Sequence, residues 1–121
     1  MMVIKEKAVL GEVTFLLEDY TLVRLRCRDI FYFEYMNRKI RIVTIQREYV
    51  CIKERIGDIA NKMRQFGFIM SHQSFVVNMY QIDKFTPQLL IMKNGDRVYL
   101  AQKRAAVIRK ELRSQREKIL L

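Results

Sequence analysis

Apolar and polar positions alternate in short blocks along most of this chain. Val13 to Leu17 is an apolar run that ends at the turn-like Glu18-Asp19-Tyr20. From Thr21 to Arg28 the alternation is clean, with Val23, Leu25 and Cys27 on one side and Arg24, Arg26 and Arg28 on the other. A period of two with charge on one face predicts a half-buried strand, and the two runs together predict a hairpin. Ile30 to Tyr35 is apolar and aromatic, a further strand, followed by the polar turn Asn37-Arg38-Lys39. Arg41 to Ile45 and Glu48 to Ile52 are rich in β-branched residues and predict a second hairpin turning at Gln46-Arg47.

The period then changes. Ile56, Ile59, Ala60 and Met63 fall on one face of a helix, with Asp58, Lys62 and Arg64 opposite. Gly67, directly after Phe66, is a stop signal. Phe68 to Met70 and Phe75 to Val77 flank the polar segment Ser71-His72-Gln73-Ser74, and Pro87 marks a break. Leu89 to Met92 and Arg97 to Leu100 enclose Lys93-Asn94-Gly95-Asp96, the strongest hairpin signal, because Asn-Gly can supply the positive φ values of a type I′ turn. Ala105 to Leu112 places Ala105, Ile108 and Leu112 at helical spacing among Arg104, Arg109, Lys110 and Arg113, a basic amphipathic helix. The pattern predicts one mainly β domain over residues 13–112, with one short helix between strands and a C-terminal helix. Residues 1–12, with Lys5-Glu6-Lys7, read as a connector, and 113–121 as an extension of the last helix or a tail.

Charge then narrows the function. The 121 residues hold 23 Lys+Arg against 13 Asp+Glu, a formal net charge of +10. A small folded domain this basic calls for an anionic partner, of which nucleic acid is the commonest. Cys27 and Cys51 are too few for a disulfide scaffold, and both sit in apolar alternating stretches as small core residues of a reducing cytoplasm. No stretch approaches the ~20 apolar residues of a membrane helix. Lys5, Glu6, Lys7 and Glu12 interrupt any signal peptide, so a cytoplasmic protein is expected.

Catalytic and cofactor chemistry finds no footing. A single histidine rules out a multi-His metal site, and the cysteines lack zinc spacing. The four glycines are unclustered, which excludes a P-loop or dinucleotide fingerprint. Ser74 lies two residues from His72 without a nucleophile elbow around it. Neither an enzyme, a cofactor nor a small-molecule substrate is therefore expected. Helix-turn-helix, zipper, zinc-finger and RNA-recognition patterns are also missing. The basic charge must be presented by strands, loops and the last helix.

The segment Phe68-Ile69-Met70-Ser71-His72-Gln73-Ser74-Phe75-Val76-Val77-Asn78 resembles the signature of the LytTR DNA-binding family. Asp29-Ile30-Phe31-Tyr32-Phe33-Glu34 resembles an early strand of that family. The Ile56–Phe66 helix precedes the His-x-Ser element at the family's spacing. Asn94-Gly95 closes the next hairpin, and Ala101-Gln102-Lys103-Arg104 opens the last helix. The resemblance spans roughly Val13 to Leu112. It implies an elongated arrangement of small antiparallel sheets, serving as the output domain of a transcription regulator, commonly joined to a phosphorylation-controlled receiver. It implies pairwise binding to direct repeats in promoter DNA, with loops entering successive major grooves.

Family contact positions fall on Arg38 with Lys39, on Gln73, and on Lys103 with Arg104 beside it. The chemistry agrees, since Gln pairs with the adenine edge and Arg or Lys with the guanine edge. Arg38, Gln73 and Lys103 are therefore the expected base contacts. Lys39, Arg41, Arg47, Arg104, Arg109 and Lys110 are the expected phosphate contacts. Where the family often carries Arg, a basic residue and Ser, this chain has Met70, Gln73 and Ala101.

Structural roles fit several of these residues. His72 reads as an anchor for its loop rather than a catalyst, and Asn78 as a partner for backbone groups at a turn. Arg24, Arg26 and Arg28 read as a solvated strand face. Two other functions stay open: a protein-interaction module or stand-alone regulator held by a membrane partner, and nonspecific nucleic-acid binding with stacking on Tyr32, Tyr35 or Tyr49.

Overall fold

Ile30 to Phe33, Ile40 to Val43 and Phe75 to Val77 are apolar at nearly consecutive positions, so these strands must be covered on both faces. The computed structural model shows that arrangement, and it describes Val3, Ile4 and residues 11–120, with side chains described over 11–114. The first three strands, β1 (Val3–Ile4), β2 (Glu12–Leu16) and β3 (Leu22–Arg26), form one antiparallel sheet. Next come β4 (Ile30–Met36), β5 (Lys39–Thr44) and β6 (Glu48–Cys51), then helix α1 (Ile56–Met63), then β7 (Phe68–His72) and β8 (Phe75–Asn78). These five strands make the central antiparallel sheet in the order β6-β5-β4-β8-β7. A third sheet, ordered β11-β10-β9, combines β9 (Ile82–Phe85), β10 (Leu89–Met92) and β11 (Arg97–Tyr99), and helix α2 (Gln102–Leu120) ends the chain.

The two faces of the central sheet bury two different cores. Phe33, Ile42 and Val76 face the first sheet and α1, packing with Val13, Phe15, Leu25, Ile59 and Met63. Tyr32, Val43, Phe75 and Val77 face the third sheet and α2, packing with Leu90, Met92, Val98, Leu100 and Ile108. Strand alternation sends neighbours to opposite cores. The exception is Phe31, which joins Tyr32 in the second core because the β4–β5 register shifts between Ile30 and Tyr32. Cys27 and Cys51 both lie in the first core as free thiols, and burial pushes each thiol up to about 12.

Several elements differ from the pattern-based expectation. The Thr21–Arg28 run is not one strand, because Cys27–Asp29 closes into a 3-10 turn before β4. Part of the expected connector is sheet: β1 pairs with β2, and β2 begins at Glu12. Strand β9 had no alternation to announce it, since Asp83 and Lys84 are both exposed. Its pairing with β10 creates it. At Asn94-Gly95 only Gly95 has positive φ (90°), so that turn is not type I′. The Gly95 N–H donates to the Met92 carbonyl and the Met92 N–H to Asp96, giving a three-residue loop with a left-handed glycine. The last helix starts at Gln102, ahead of the Ala105 spacing and where the resemblance placed its opening, and it runs to Leu120.

Asn78 locks the far end of the central sheet. Its buried amide donates to the carbonyls of Cys27 (3.3 Å) and Ile30 (3.0 Å), and its side-chain oxygen accepts from the Tyr80 N–H (3.0 Å). One side chain thus serves the backbone of two segments 48 or more residues away and the 3-10 turn that follows it. Asn78→Ala is expected to lower stability by about 2–4 kcal/mol, since it strands buried partners. Urea unfolding with an unchanged m-value checks this.

Candidate nucleic-acid interface

The hairpin between β4 and β5 has only two central residues, because Met36 pairs with Lys39. The twist of the flanking strands selects a type I′ turn for so short a loop. Asn37 and Arg38 accordingly have φ of 50° and 63°. Asparagine tolerates the left-handed region, whereas a longer L side chain there costs roughly 1–2 kcal/mol. The turn holds Arg38 exposed at the tip despite that cost.

The β7–β8 turn stands beside it. Glu34 pairs with Phe75, and the Tyr35 N–H donates to the Ser74 carbonyl (2.8 Å), so the residues ending β4 lie against the turn that begins β8. His72 Nδ1 accepts from the Ser74 N–H at 3.1 Å and closes the turn under Gln73, which is exposed. The imidazole also lies 6.0 Å from the rings of Phe75 and Tyr99. His72 anchors its loop in this way.

Ser71 links the same turn to α2. It lies at the irregularity between Met70 and His72 in the β7–β8 pairing. Its buried hydroxyl donates to the Tyr99 carbonyl (2.9 Å), and its carbonyl accepts from the Ala101 N–H (2.8 Å). Exposed Lys103 follows two residues after Ala101, on the first turn of α2. Three expected base-contact residues therefore sit on structures tied to one end of the central sheet: two hairpin tips and the start of a helix.

Arg38 and Gln73 share a cleft of about 540 Å³. Its other walls are Tyr35, Ser74, Glu54 and the start of α1 at Arg55, Ile56 and Gly57. Arg55 was not singled out from the sequence. The signal was present in its position directly before the helical run that starts at Ile56, where Ser, Thr, Asp or Asn is favoured.

The remaining cations divide. Lys39 is exposed and pairs with Glu18 at 2.7 Å. Arg41 is bound within the fold: it donates to Glu34 (2.9 Å), Glu48 (2.6 Å) and the Tyr32 hydroxyl (3.1 Å). Burial opposes its charge, but the hydrogen bonds it donates to Glu48 and Glu34 outweigh that and hold the guanidinium protonated. The Tyr32 hydroxyl in turn donates to Asp96 (2.8 Å), which joins the central sheet to the third sheet. Arg47 lies on the β5–β6 turn, at the opposite end of the central sheet from Arg38, with its guanidinium 5.9 Å from the Tyr49 ring. On α2, Lys110 is exposed, and Arg109 lies 5.3 Å over Phe85. Arg104 is half-buried in a groove between α1, β7 and α2, its Nε without a hydrogen-bond acceptor among the described residues. Of the three candidate stacking tyrosines, Tyr32 is buried, Tyr49 half-buried and Tyr35 exposed on the cleft wall. Among the described residues no group of His, Cys, Asp or Glu is placed to hold a metal.

The family model for the LytTr DNA-binding domain matches residues 20–113. The chain belongs to the LytTr DNA-binding domain family. Two sensory transduction proteins LytT, from Bacillus anthracis and Bacillus cereus, are each 28% identical over 100 residues. The match takes in 78% of this chain and 40% of each relative, so the chain spans well under half the length of these curated relatives. A solved LytTr DNA-binding domain of a methyl-accepting/DNA response regulator from Bacillus cereus superposes with a TM-score of 0.71 at 25% identity, covering 82% of this chain and 94% of that one. The expected LytTR fold is the fold found. Its family works in DNA binding and bacterial transcription regulation. No described helix of this LytTr chain is long and apolar enough to cross a membrane.

The Arg38 geometry holds a long side chain where the backbone suits glycine. Arg38→Gly relieves the left-handed backbone and is expected to raise stability by about 0.5–1 kcal/mol, after glycine's greater loss of chain entropy is subtracted. The same change should weaken duplex binding. Thermal melts and fluorescence anisotropy on one preparation of the variant check both signs.

Proposed function

We propose that this LytTr domain binds duplex promoter DNA sequence-specifically, with Arg38, Gln73 and Lys103 reading base edges from successive major grooves. The observation that carries this reading is the common placement of the two hairpin tips and the α2 start at one end of the central sheet, with Arg38 and Gln73 on one cleft. Exposed turns a few residues wide can reach base edges that a sheet face cannot. Gln73 suits adenine through its paired donor and acceptor, and Arg38 and Lys103 suit guanine. Lys39, Arg104, Arg109 and Lys110 serve phosphates, where charge positions without specifying. Arg41 serves the scaffold instead, because its donors are already taken by Glu34, Glu48 and Tyr32. Arg47 lies outside the reading edge.

The domain acts in the cytoplasm as the output module of a two-component regulator. Two copies occupy direct repeats, and a receiver domain lies in the complete regulator. The LytT relatives, longer than the matched region and described as sensory transduction proteins, support that assignment. Its chemistry is recognition without catalysis.

Two measurements test this. Incubation with a random duplex pool at moderate salt, followed by sequencing of the retained DNA, is expected to enrich a motif repeated one or two helical turns apart. Retention with no motif points to nonspecific binding, and no retention points to a protein partner. On the enriched site, Lys103→Ala is expected to cost about 1–3 kcal/mol and to relax one base position. A uniform loss on every sequence reassigns Lys103 to a phosphate.

A further inference from the structure

Arg38 and Arg55 line the same cleft, and neither has a salt bridge or side-chain hydrogen bond among the described residues. Both positions favour a different residue on local grounds. Arg38 occupies a left-handed turn position that suits glycine. Arg55 occupies the position before α1, with extended backbone (φ −110°, ψ 139°) and no side-chain cap on the helix. A serine or aspartate there would cap the helix, and a cation faces the positive end of the helix dipole. The connector leading to it holds a second basic residue in the left-handed region, Lys53 at φ 61°.

Local stability explains neither arginine. What they share is the cleft. Gln73 and Ser74 line it as well. Glu54 is the acidic group on its walls.

We propose that this cleft seats a phosphate of the DNA backbone and that Arg55 is its principal donor, beside Arg38. The inference rests on the duplex-binding reading above and adds a contact to it. A guanidinium offers paired N–H donors that match two phosphate oxygens. A phosphate held there brings the adjacent groove edge under Gln73 and the Arg38 tip, so Arg55 acts by position and carries no base preference.

Arg55→Ser supplies a test with opposite signs for folding and binding. Serine caps α1, so the melting temperature is expected to rise by about 3–6 °C. Affinity for the selected duplex is expected to fall roughly tenfold at moderate salt, with the same factor on a scrambled duplex. The slope of log K against log salt should shrink by about 0.9, the mark of one lost phosphate contact. Arg55→Lys should recover most of the slope, since lysine keeps the charge. Arg24→Ala, on the exposed outer face of β3, is the control and should leave the slope unchanged. An unchanged slope for Arg55→Ser, with wild-type binding intact, overturns the Arg55 assignment alone. A loss confined to the selected sequence also overturns it, because Arg55 would then be reading a base. Failure of the wild-type domain to bind any duplex overturns the parent reading.

Discussion

Everything in this domain depends on burying the central sheet from both sides. Strands β4 and β8 carry apolar side chains at nearly every position, and one covering layer would leave half of them in water. The first sheet with α1 closes one face, and the third sheet with α2 closes the other. Fully burying a side chain such as Phe33 or Val77 is worth roughly 1.5–3 kcal/mol, so both layers are held by the same strands. The cost is that short elements must be held in place around the sheet. Small polar side chains do much of that holding: Asn78 serves the backbone at one end, and Ser71 with His72 serves it at the other.

With the faces covered, the strand ends are what the sheet presents to a ligand. At one end the backbone hydrogen bonds of β4 with β8 bring the Arg38 and Gln73 turns side by side. The Ser71 bonds bring the start of α2 to the same end. That end is therefore built from two hairpin turns and the first turn of a helix. Its side chains ride on tight turns whose backbone is pinned from below. Such turns sacrifice stability at the tip, as at Arg38, while the two cores beneath supply it.

Arg41 shows why charge along a sequence is a poor guide to a surface. From its position in a strand beside exposed basic residues it resembles a phosphate contact. In the fold it is the centre of an ion-pair group that spans β4, β5 and β6 and reaches the third sheet through Tyr32 and Asp96. Its two acidic partners are seven residues away in opposite directions along the chain, and antiparallel pairing makes them neighbours. Arg55 is the converse case. It looks like an ordinary loop residue until the β6–α1 connector is seen leaving the sheet beside the Arg38 hairpin.

Local pattern was enough to define most strands, helix α1, the stop at Gly67 and the basic character of α2. Alternation, helical spacing and left-handed glycine act over a few residues. The family signature around His72 and its spacing to the helix and the last hairpin carried the fold and the general function. Other features were decided only by tertiary structure. Strand β9 exists because β10 offers it a partner. The type I′ turn is at Asn37-Arg38 because Met36 pairs with Lys39, whereas Asn94-Gly95 takes a longer loop. The separation of free cations from bound ones, and the meeting of Arg38, Arg55 and Gln73 on one cleft, likewise come from pairings far apart in the chain. Side-chain type and short-range spacing are written in the sequence, but which surfaces meet depends on strand register and on layers whose residues are dozens of positions apart.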